Sequence, residues 1–262
     1  MNFTLNKNSL SLELKTPLIE AIIIERPNRY VAEVATLNDG VVYRAYVPVS
    51  GRIGGLTLDG LPCLLSGPYS DRSTDFTVEA IGSHYDKTDL EFQWIGVNQT
   101  ASNSYVEAFI RGGLLPKISA GLPLSTVKRE QSLGSKRIDL TLGSSDPADL
   151  WIEIKTPLIS LATELDSDLP IKRDYSTSPP SSRMPEQFEE LAKLRKQGRR
   201  VMFLGVFGYN GMGYSNYKDR FKANLNLDGL VDKGVELGFE FSQVELKHTP
   251  QRIELARFTS LF

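Results

Sequence analysis

A chain of 262 residues, 40% of them hydrophobic, is long enough for one large or two modest domains with a real core. A net charge of −2 and an isoelectric point near 5.8 exclude a histone-like polyelectrolyte, so any contact with nucleic acid must come from local clusters of Lys and Arg. A single cysteine excludes an intramolecular disulfide, and no stretch resembles a secretion signal or the roughly 18 apolar residues of a membrane span, so a soluble cytoplasmic protein is expected. From Leu18 to about Val97, short apolar or β-branched runs alternate with turn residues. Ala21–Ile24, Tyr30–Leu37, Val41–Val47, Cys63–Leu65, Thr74–Ile81 and Leu90–Val97 read as strands, separated by Arg26-Pro-Asn, Asn38-Asp-Gly40, Gly54-Gly55, Asp59-Gly60 and Gly67-Pro68. Strands at this spacing predict a small barrel or sandwich, and a five-stranded oligonucleotide-binding (OB) barrel is the compact solution for this length.

Within that segment Arg26, Arg29, Tyr30, Arg44, Tyr46, Arg52, Tyr69 and Arg72 interleave cations with aromatic rings. That is the composition of a single-strand platform, where bases stack and phosphates pair. Solvated barrel faces carry Arg and Tyr as a matter of course, so the composition is equally that of an ordinary surface.

Beyond Asn98 the texture changes to mixed helix and strand. Ser102 is a candidate cap for a helix whose apolar face is Val106, Phe109 and Ile110, ended by Gly112-Gly113. A strand over Leu124–Arg129 and a turn over Glu130–Lys136 around Gly134 follow. Ser160–Pro185, with Pro170, Pro179, Pro180 and Pro185 among serines and charges, reads as a long loop, either a flap or an insertion. Pro185–Gly198 is a helix by its charges and ends: Glu186, Glu189 and Glu190 lie early, Lys193, Arg195 and Lys196 late, and Phe188, Leu191 and Leu194 form its buried face. Gln187 stands at the margin of that face, directed either at the neighbouring sheet or at solvent. Val201–Phe207 reads as a strand covered on both faces, Asn216–Lys233 as a helix, and Val235–Leu246 and Ile253–Phe258 as closing strands. The division expected is a barrel over 1–97 and a mixed sheet with flanking helices over 98–262.

The residues with chemistry lie on a hairpin from Arg137 to Pro157. Ile138, Leu140 and Leu142 alternate with Asp139 and Thr141; across a Gly/Ser/Asp/Pro turn, Ile152 and Ile154 alternate with Trp151, Glu153 and Lys155. If the arms pair in register, Asp139, Glu153 and Lys155 converge. Two hard carboxylates suit Mg²⁺ or Mn²⁺, a bound metal activates water on a phosphodiester, and a lysine offsets phosphate charge, so neither Cys nor His is needed as nucleophile. Glu130, just upstream, offers a further carboxylate. Opposite charges on a solvated strand face are also commonplace, so the triplet alone leaves a structural role open. Glu13-Leu-Lys15-Thr-Pro nearly repeats Glu153-Ile-Lys155-Thr-Pro without an aspartate-bearing arm before it, and is read as coincidence.

The ordered set of short motifs resembles the sugar fermentation stimulation protein A (SfsA) family over nearly the whole chain. Arg26-Pro-Asn-Arg29-Tyr30-Val-Ala-Glu-Val34 resembles the family's opening motif, Trp94–Asn98 with Glu107-Ala108 its strand-to-helix segment, Arg137-Ile-Asp139 and Ile152-Glu153-Ile-Lys155 its paired acidic motifs, and Gly234-Val-Glu236 a further signature. The resemblance implies an OB barrel followed by a nuclease fold of the PD-(D/E)XK type, an α/β protein overall, acting on DNA or RNA with Mg²⁺ or Mn²⁺. It further implies Asp139, Glu153 and Lys155 as the catalytic core, with Gln187 where the family carries a His, and metal ligation by Asp139, Glu153, the Ile154 carbonyl and Glu130. Nucleic acid would be gripped through Arg26, Arg29, Tyr30, Arg44 and Arg137. Pro48-Val-Ser-Gly51 departs from the family's Pro-Asn-Thr-Gly, and the segment after Lys155 is longer, with Arg183 where an Arg is expected. The rival expectation is a nucleic-acid-binding or regulatory protein that keeps the fold without turnover; a carbohydrate-binding barrel is the third. Oligomeric state is open, a homodimer included.

Overall fold

The computed structural model describes residues 2–49, 53–165, 169, 184–211, 216–225 and 229–262. The chain opens on a hairpin, β1 (Phe3–Asn6) and β2 (Ser11–Leu14), which the sequence reading did not identify. Its β2 pairs with the last strand of the chain, so residues grouped with the barrel in a 1–97 division lie on the C-terminal sheet.

The barrel follows. β3 (Ile19–Asn28), β4 (Val31–Thr36) and β5 (Val42–Tyr46) form a meander; β6 (Pro62–Ser66) returns beside β3, and β7 (Phe76–Gly82) pairs with β6 on one side and runs parallel to β5 on the other. These five strands close on one another in the order expected of an OB barrel. The inward residues Ala21, Ile23, Ala32, Val34, Ala45, Cys63, Leu65 and Val78 form its core. The strand expected over Leu90–Val97 is confined to β8 (Trp94–Gly96), because Asp86 and Asp89 hold the preceding residues in turns. β8 joins the two halves, pairing with β7 through Gly96 and with the C-terminal sheet at His248. A Cβ on Gly96 would overlap the His248 ring, and one on Gly208 would meet the Gly96 backbone, so both glycines permit this close crossing.

Helix α1 (Gln99–Arg111) is capped by Asn98, whose side chain accepts from the Ala101 amide; Ser102, the expected cap, lies inside the helix and donates to the Asn98 carbonyl. A short α2 (Pro116–Ser119) and a 3-10 turn at Leu124–Thr126 lead to β9 (Lys128–Leu133). The strand thus begins where the sequence suggested it would end, and the tight turn is confined to Gly134-Ser135, with Gly134 at φ +59°. β10 (Lys136–Leu142) and β11 (Leu150–Lys155) form the expected hairpin.

The remaining elements are α3 (Leu161–Glu164), α4 (Met184–Lys196), β12 (Arg200–Phe207), α5 (Tyr217–Leu225), α6 (Leu230–Glu236), β13 (Glu240–His248) and β14 (Arg252–Ser260). Asn216–Lys233 is therefore two helices, with Gly229 at φ +73° heading the second, and Val235-Glu236 ends α6 instead of opening a strand. Most of the loop read over Ser160–Pro185, together with Arg52 and Arg183, lies outside the described residues. The sheet order β9-β10-β11-β12-β13-β14-β2-β1 is parallel across β11, β12 and β13 and antiparallel elsewhere. On one face, α1 packs Tyr105, Val106, Phe109 and Ile110 against Leu140, Ile152, Ile154, Leu204 and Val244. On the other, α4 packs Phe188, Leu191 and Leu194 against Trp151, Phe203 and Phe241. β12 is buried on both sides, which accounts for its unbroken apolar run.

A buried ionic cluster holds the edge of this layer. Arg220 on α5 donates from Nε to Glu164 at 2.6 Å and from Nη1 to Glu245 at 2.7 Å, with its guanidinium 3.9 Å from the Phe207 ring centroid. Tyr209 and Asn224 also donate to Glu164.

Candidate active site

The hairpin arms pair at Leu140–Ile152, Thr141–Trp151 and Leu142–Leu150, which sets Asp139 opposite Glu153 one step further on. That step is where the arms part. Ile138, expected on the same face as Leu140 and Leu142, packs instead with Trp151 and Phe188 in the α4 layer, while Leu140 and Leu142 pack under α1. The side-chain alternation breaks at Asp139, where ladder pairing with β11 stops while pairing with β9 continues on either side. The freed carboxylate turns into the gap: Oδ2 accepts from the Ile154 amide at 2.7 Å and Oδ1 from Asn103 Nδ2 on α1 at 2.9 Å. Each oxygen has one fixed partner, so the plane of the carboxylate is set.

Glu153 is 3% exposed. Its Oε1 accepts from Lys155 Nζ at 2.5 Å, and its Oε2 is buried with no hydrogen-bond partner. Burial pushes its pKa up to about 7, against the pull of Lys155 and of the Gln187 amide and with a further push from Asp139. Asp139 is raised in the same sense, chiefly by burial, with the Ile154 amide and Lys155 opposing and Glu130 adding to the rise. Asp139, Glu153 and Lys155 are thus brought together, with Gln187 beside them; its Nε2 also approaches the Arg137 carbonyl at 3.4 Å.

Glu130 occupies the β9 position opposite Asp139, between the Arg129–Leu140 and Gln131–Ile138 pairs, at a φ of +52° that a glutamate rarely adopts. Its carboxylate is half-exposed and lies 3.7 Å from Arg137, which is itself exposed. It therefore acts on Asp139 through its charge and not as a member of the same tight group; among the described residues no three acidic, His or Cys side chains converge. Two contacts from α1 escaped the sequence reading: Asn103 on Asp139, and Gln99, whose Nε2 donates to the Thr156 carbonyl at 3.0 Å. Their only sequence signal is the i, i+4 spacing of two polar residues on the flank of an otherwise apolar helix face.

On the barrel, Arg26, Arg29 and Tyr30 cluster at the β3–β4 turn. Arg26 donates to the Arg29 carbonyl, and the Arg29 guanidinium lies 4.4 Å from the Tyr30 ring centroid. Arg44 lies on β5 with an exposed side chain, opposite Glu33. Glu13 lies on β2 and accepts from Ser11. Among the described residues no helix is long and apolar enough to cross a membrane.

A raised carboxylate has a consequence for stability. The folded-state pKa of Glu153 lies above its unfolded value of 4.5, so the stability it contributes is full below pH 4.5 and is lost as pH rises through about 7. In metal-free protein, Glu153→Gln is expected to be near neutral at pH 4.5 and to stabilise by about 3 kcal/mol at pH 8, the Lys155 pair being already contained in the shift. Urea unfolding in EDTA at the two pH values checks this; a variant less stable than wild type at pH 8 would contradict it.

Residues 24–97 match the SfsA N-terminal OB domain. The sugar fermentation stimulation protein homolog of Natranaerobius thermophilus is 29% identical over 190 residues, covering 71% of this chain and 72% of its own. That of Synechococcus sp. strain JA-3-3Ab is 28% identical over 240 residues, 91% of this chain and 90% of its own. In three dimensions the chain is similar to Pyrococcus furiosus SfsA, solved in complex with Ca²⁺, with a TM-score of 0.67 at 20% identity, over 94% of this chain and 96% of that one.

Proposed function

This chain belongs to the sugar fermentation stimulation protein A family, and on that footing we propose that it is a divalent-metal-dependent nuclease, its barrel binding the DNA or RNA that its mixed sheet cleaves. The observation that carries the reading is the buried, unpartnered Oε2 of Glu153 beside the fixed carboxylate of Asp139. Once ionised, a buried carboxylate oxygen left bare is costly unless a cation completes it, and Lys155 is already committed to the other oxygen. The donor set is all hard oxygen, which suits Mg²⁺ or Mn²⁺, and the Ca²⁺ complex of the Pyrococcus furiosus protein supports a divalent-ion site in this fold.

Asp139, Glu153 and the carbonyl of Ile154 would hold the ion. When bound, it supplies charge stabilisation at phosphorus and a water of lowered pKa. The chain's own residues do the rest. Asn103 and the Ile154 amide hold Asp139 in one orientation, so the ligand set needs little rearrangement. Lys155 neutralises charge building on the phosphate oxygens, and Gln187 orients the attacking water from α4. Glu130 raises the negative potential around Asp139, while Arg137, exposed at the rim, would take a phosphate of the bound strand. Arg26, Arg29, Tyr30 and Arg44 would supply the barrel's share of the grip. In this reading the division is a binding unit over 1–97, the N-terminal hairpin excepted, and a catalytic unit over 98–262. The buried free thiol of Cys63 supports a cytoplasmic setting.

Purified protein incubated with labelled single- and double-stranded DNA and RNA, with Mg²⁺, Mn²⁺ or EDTA, tests the reading. Cleavage of at least one substrate that requires metal and is lost in Lys155→Ala is expected. Binding without cleavage under every condition would move the assignment to a regulatory protein.

A further inference from the structure

Between the barrel and the first turns of α1 lies a cleft of about 270 Å³, bordered by Tyr46, Tyr69, Arg72, Glu79, Asn98 and Thr100 among others. Glu79, from β7, forms part of its lining and is only 4% exposed. One of its oxygens accepts from Ser66 Oγ at 2.5 Å and the other from Asn98 Nδ2 at 2.7 Å, and among the described residues no Lys or Arg pairs with it. Among the described residues no second donor reaches either oxygen. A buried carboxylate whose hydrogen bonds both come from neutral donors is costly to keep and marks a place where a ligand's donors are awaited. Burial raises its pKa, although both hydrogen bonds favour the ionised form.

We propose that this cleft is a single-base subsite, taking one unpaired nucleobase whose edge presents two adjacent N–H donors, guanine, to the Glu79 carboxylate. Among the four bases only guanine pairs a ring N–H with a neighbouring amine, the complement of a two-oxygen acceptor. The walls suit a flat ring: Tyr46 is 41% exposed on the last residue of β5, and Tyr69 carries the Arg72 guanidinium 4.1 Å from its ring centroid. A stacked base on such a surface is held without regard to sequence, and a basic side chain at the margin meets the adjoining phosphate. The volume lies just below the ~300–1,000 Å³ of pockets that enclose drug-sized ligands, which suits one base and not two.

The cleft also communicates with the candidate active site through α1. Asn98 holds Glu79 with its amide nitrogen while its oxygen caps the helix through the Ala101 amide. Along the same helix, Gln99 and Asn103 reach Thr156 and Asp139. Asn98 and Asn103 are separated by about 7.5 Å of helix rise, so a base in the cleft would lie close to the phosphate in the site. The inference rests on the nucleic-acid-binding part of the function proposed above, and not on cleavage.

The test is fluorescence anisotropy on the full chain in EDTA, where cleavage does not run, with labelled thymidine octamers carrying one central dG, one inosine or neither. A single dG is expected to tighten binding about tenfold, and inosine, which lacks the amine, to lose most of that gain. Glu79→Gln and, separately, the exposed Tyr46→Ala should each bring the dG preference below about twofold. Equal affinity for dG and all-thymidine octamers, or a preference that survives both substitutions, would overturn the base subsite while leaving the nuclease reading standing. Wild-type protein that binds none of the octamers would overturn both.

Discussion

Asp139→Asn is expected to lower kcat/KM for metal-dependent cleavage by at least about 10³-fold while changing the Kd for the same oligonucleotide in EDTA by less than about threefold. The substitution keeps the shape of the side chain and can still accept from Ile154, but it removes the charge that would hold the ion. It also turns one oxygen into an NH₂ group, so the Asn103 amide either loses its acceptor or faces another donor. Substrate grip is expected to survive, because Arg26, Arg29, Tyr30 and Arg44 all lie on the barrel and none touches Asp139. Steady-state cleavage and equilibrium binding on one preparation separate the two effects. Parallel losses in both would mean that Asp139 holds the strand and not the chemistry.

Arg220→Ala is expected to destabilise the protein by about 3–5 kcal/mol, a fall of roughly 10 °C in melting temperature. Arg220 is the sole cation within hydrogen-bonding distance of the buried Glu164 and Glu245 among the described residues; the nearest other, Arg257, stands 3.6 Å from Glu245 and is half-exposed. Removing it strands two carboxylates that already titrate high through burial, and opens a void against Phe207. Most of the cost is the uncompensated charge and not the worth of the ion pairs. Arg220→Met combined with Glu164→Gln and Glu245→Gln should therefore recover more than half of the loss, since it removes the charges together. Thermal melts of the two variants decide this. A triple variant no more stable than Arg220→Ala would assign the loss to packing.

The barrel and the hairpin of the candidate site were readable because both rest on local patterns. Turn residues between β-branched runs mark the barrel strands, and period-two alternation on either side of a Gly/Ser/Asp/Pro turn placed Asp139 opposite Glu153. What was not readable is long-range. β1 and β2 are four residues each, and their hairpin finds its place through β2 on β14, some 240 residues away in sequence, so no local pattern marks them. The Glu164–Arg220–Glu245 cluster joins three distant elements whose charges each look like surface residues in isolation. Asn103 carries no motif; its role exists only because α1 crosses the gap where β10 leaves β11. The break in alternation at Asp139 went against a good local pattern, and it coincides with the carboxylate of the proposed site, as expected if function overrides a regular strand there. Gly229 split a helix that amphipathic spacing had joined.

The central claim is that the bare oxygen of Glu153 belongs to a divalent-ion centre. Its most direct test is a Mn²⁺ titration followed by the electron paramagnetic resonance signal of the free ion, at pH 8, on wild type, Asp139→Asn and Glu153→Gln. Wild type should remove about one equivalent of Mn²⁺ from solution at micromolar to sub-millimolar concentration, and both variants should leave it free. Glu153→Gln that binds Mn²⁺ as tightly as wild type would contradict the account, because the ion would then be held elsewhere.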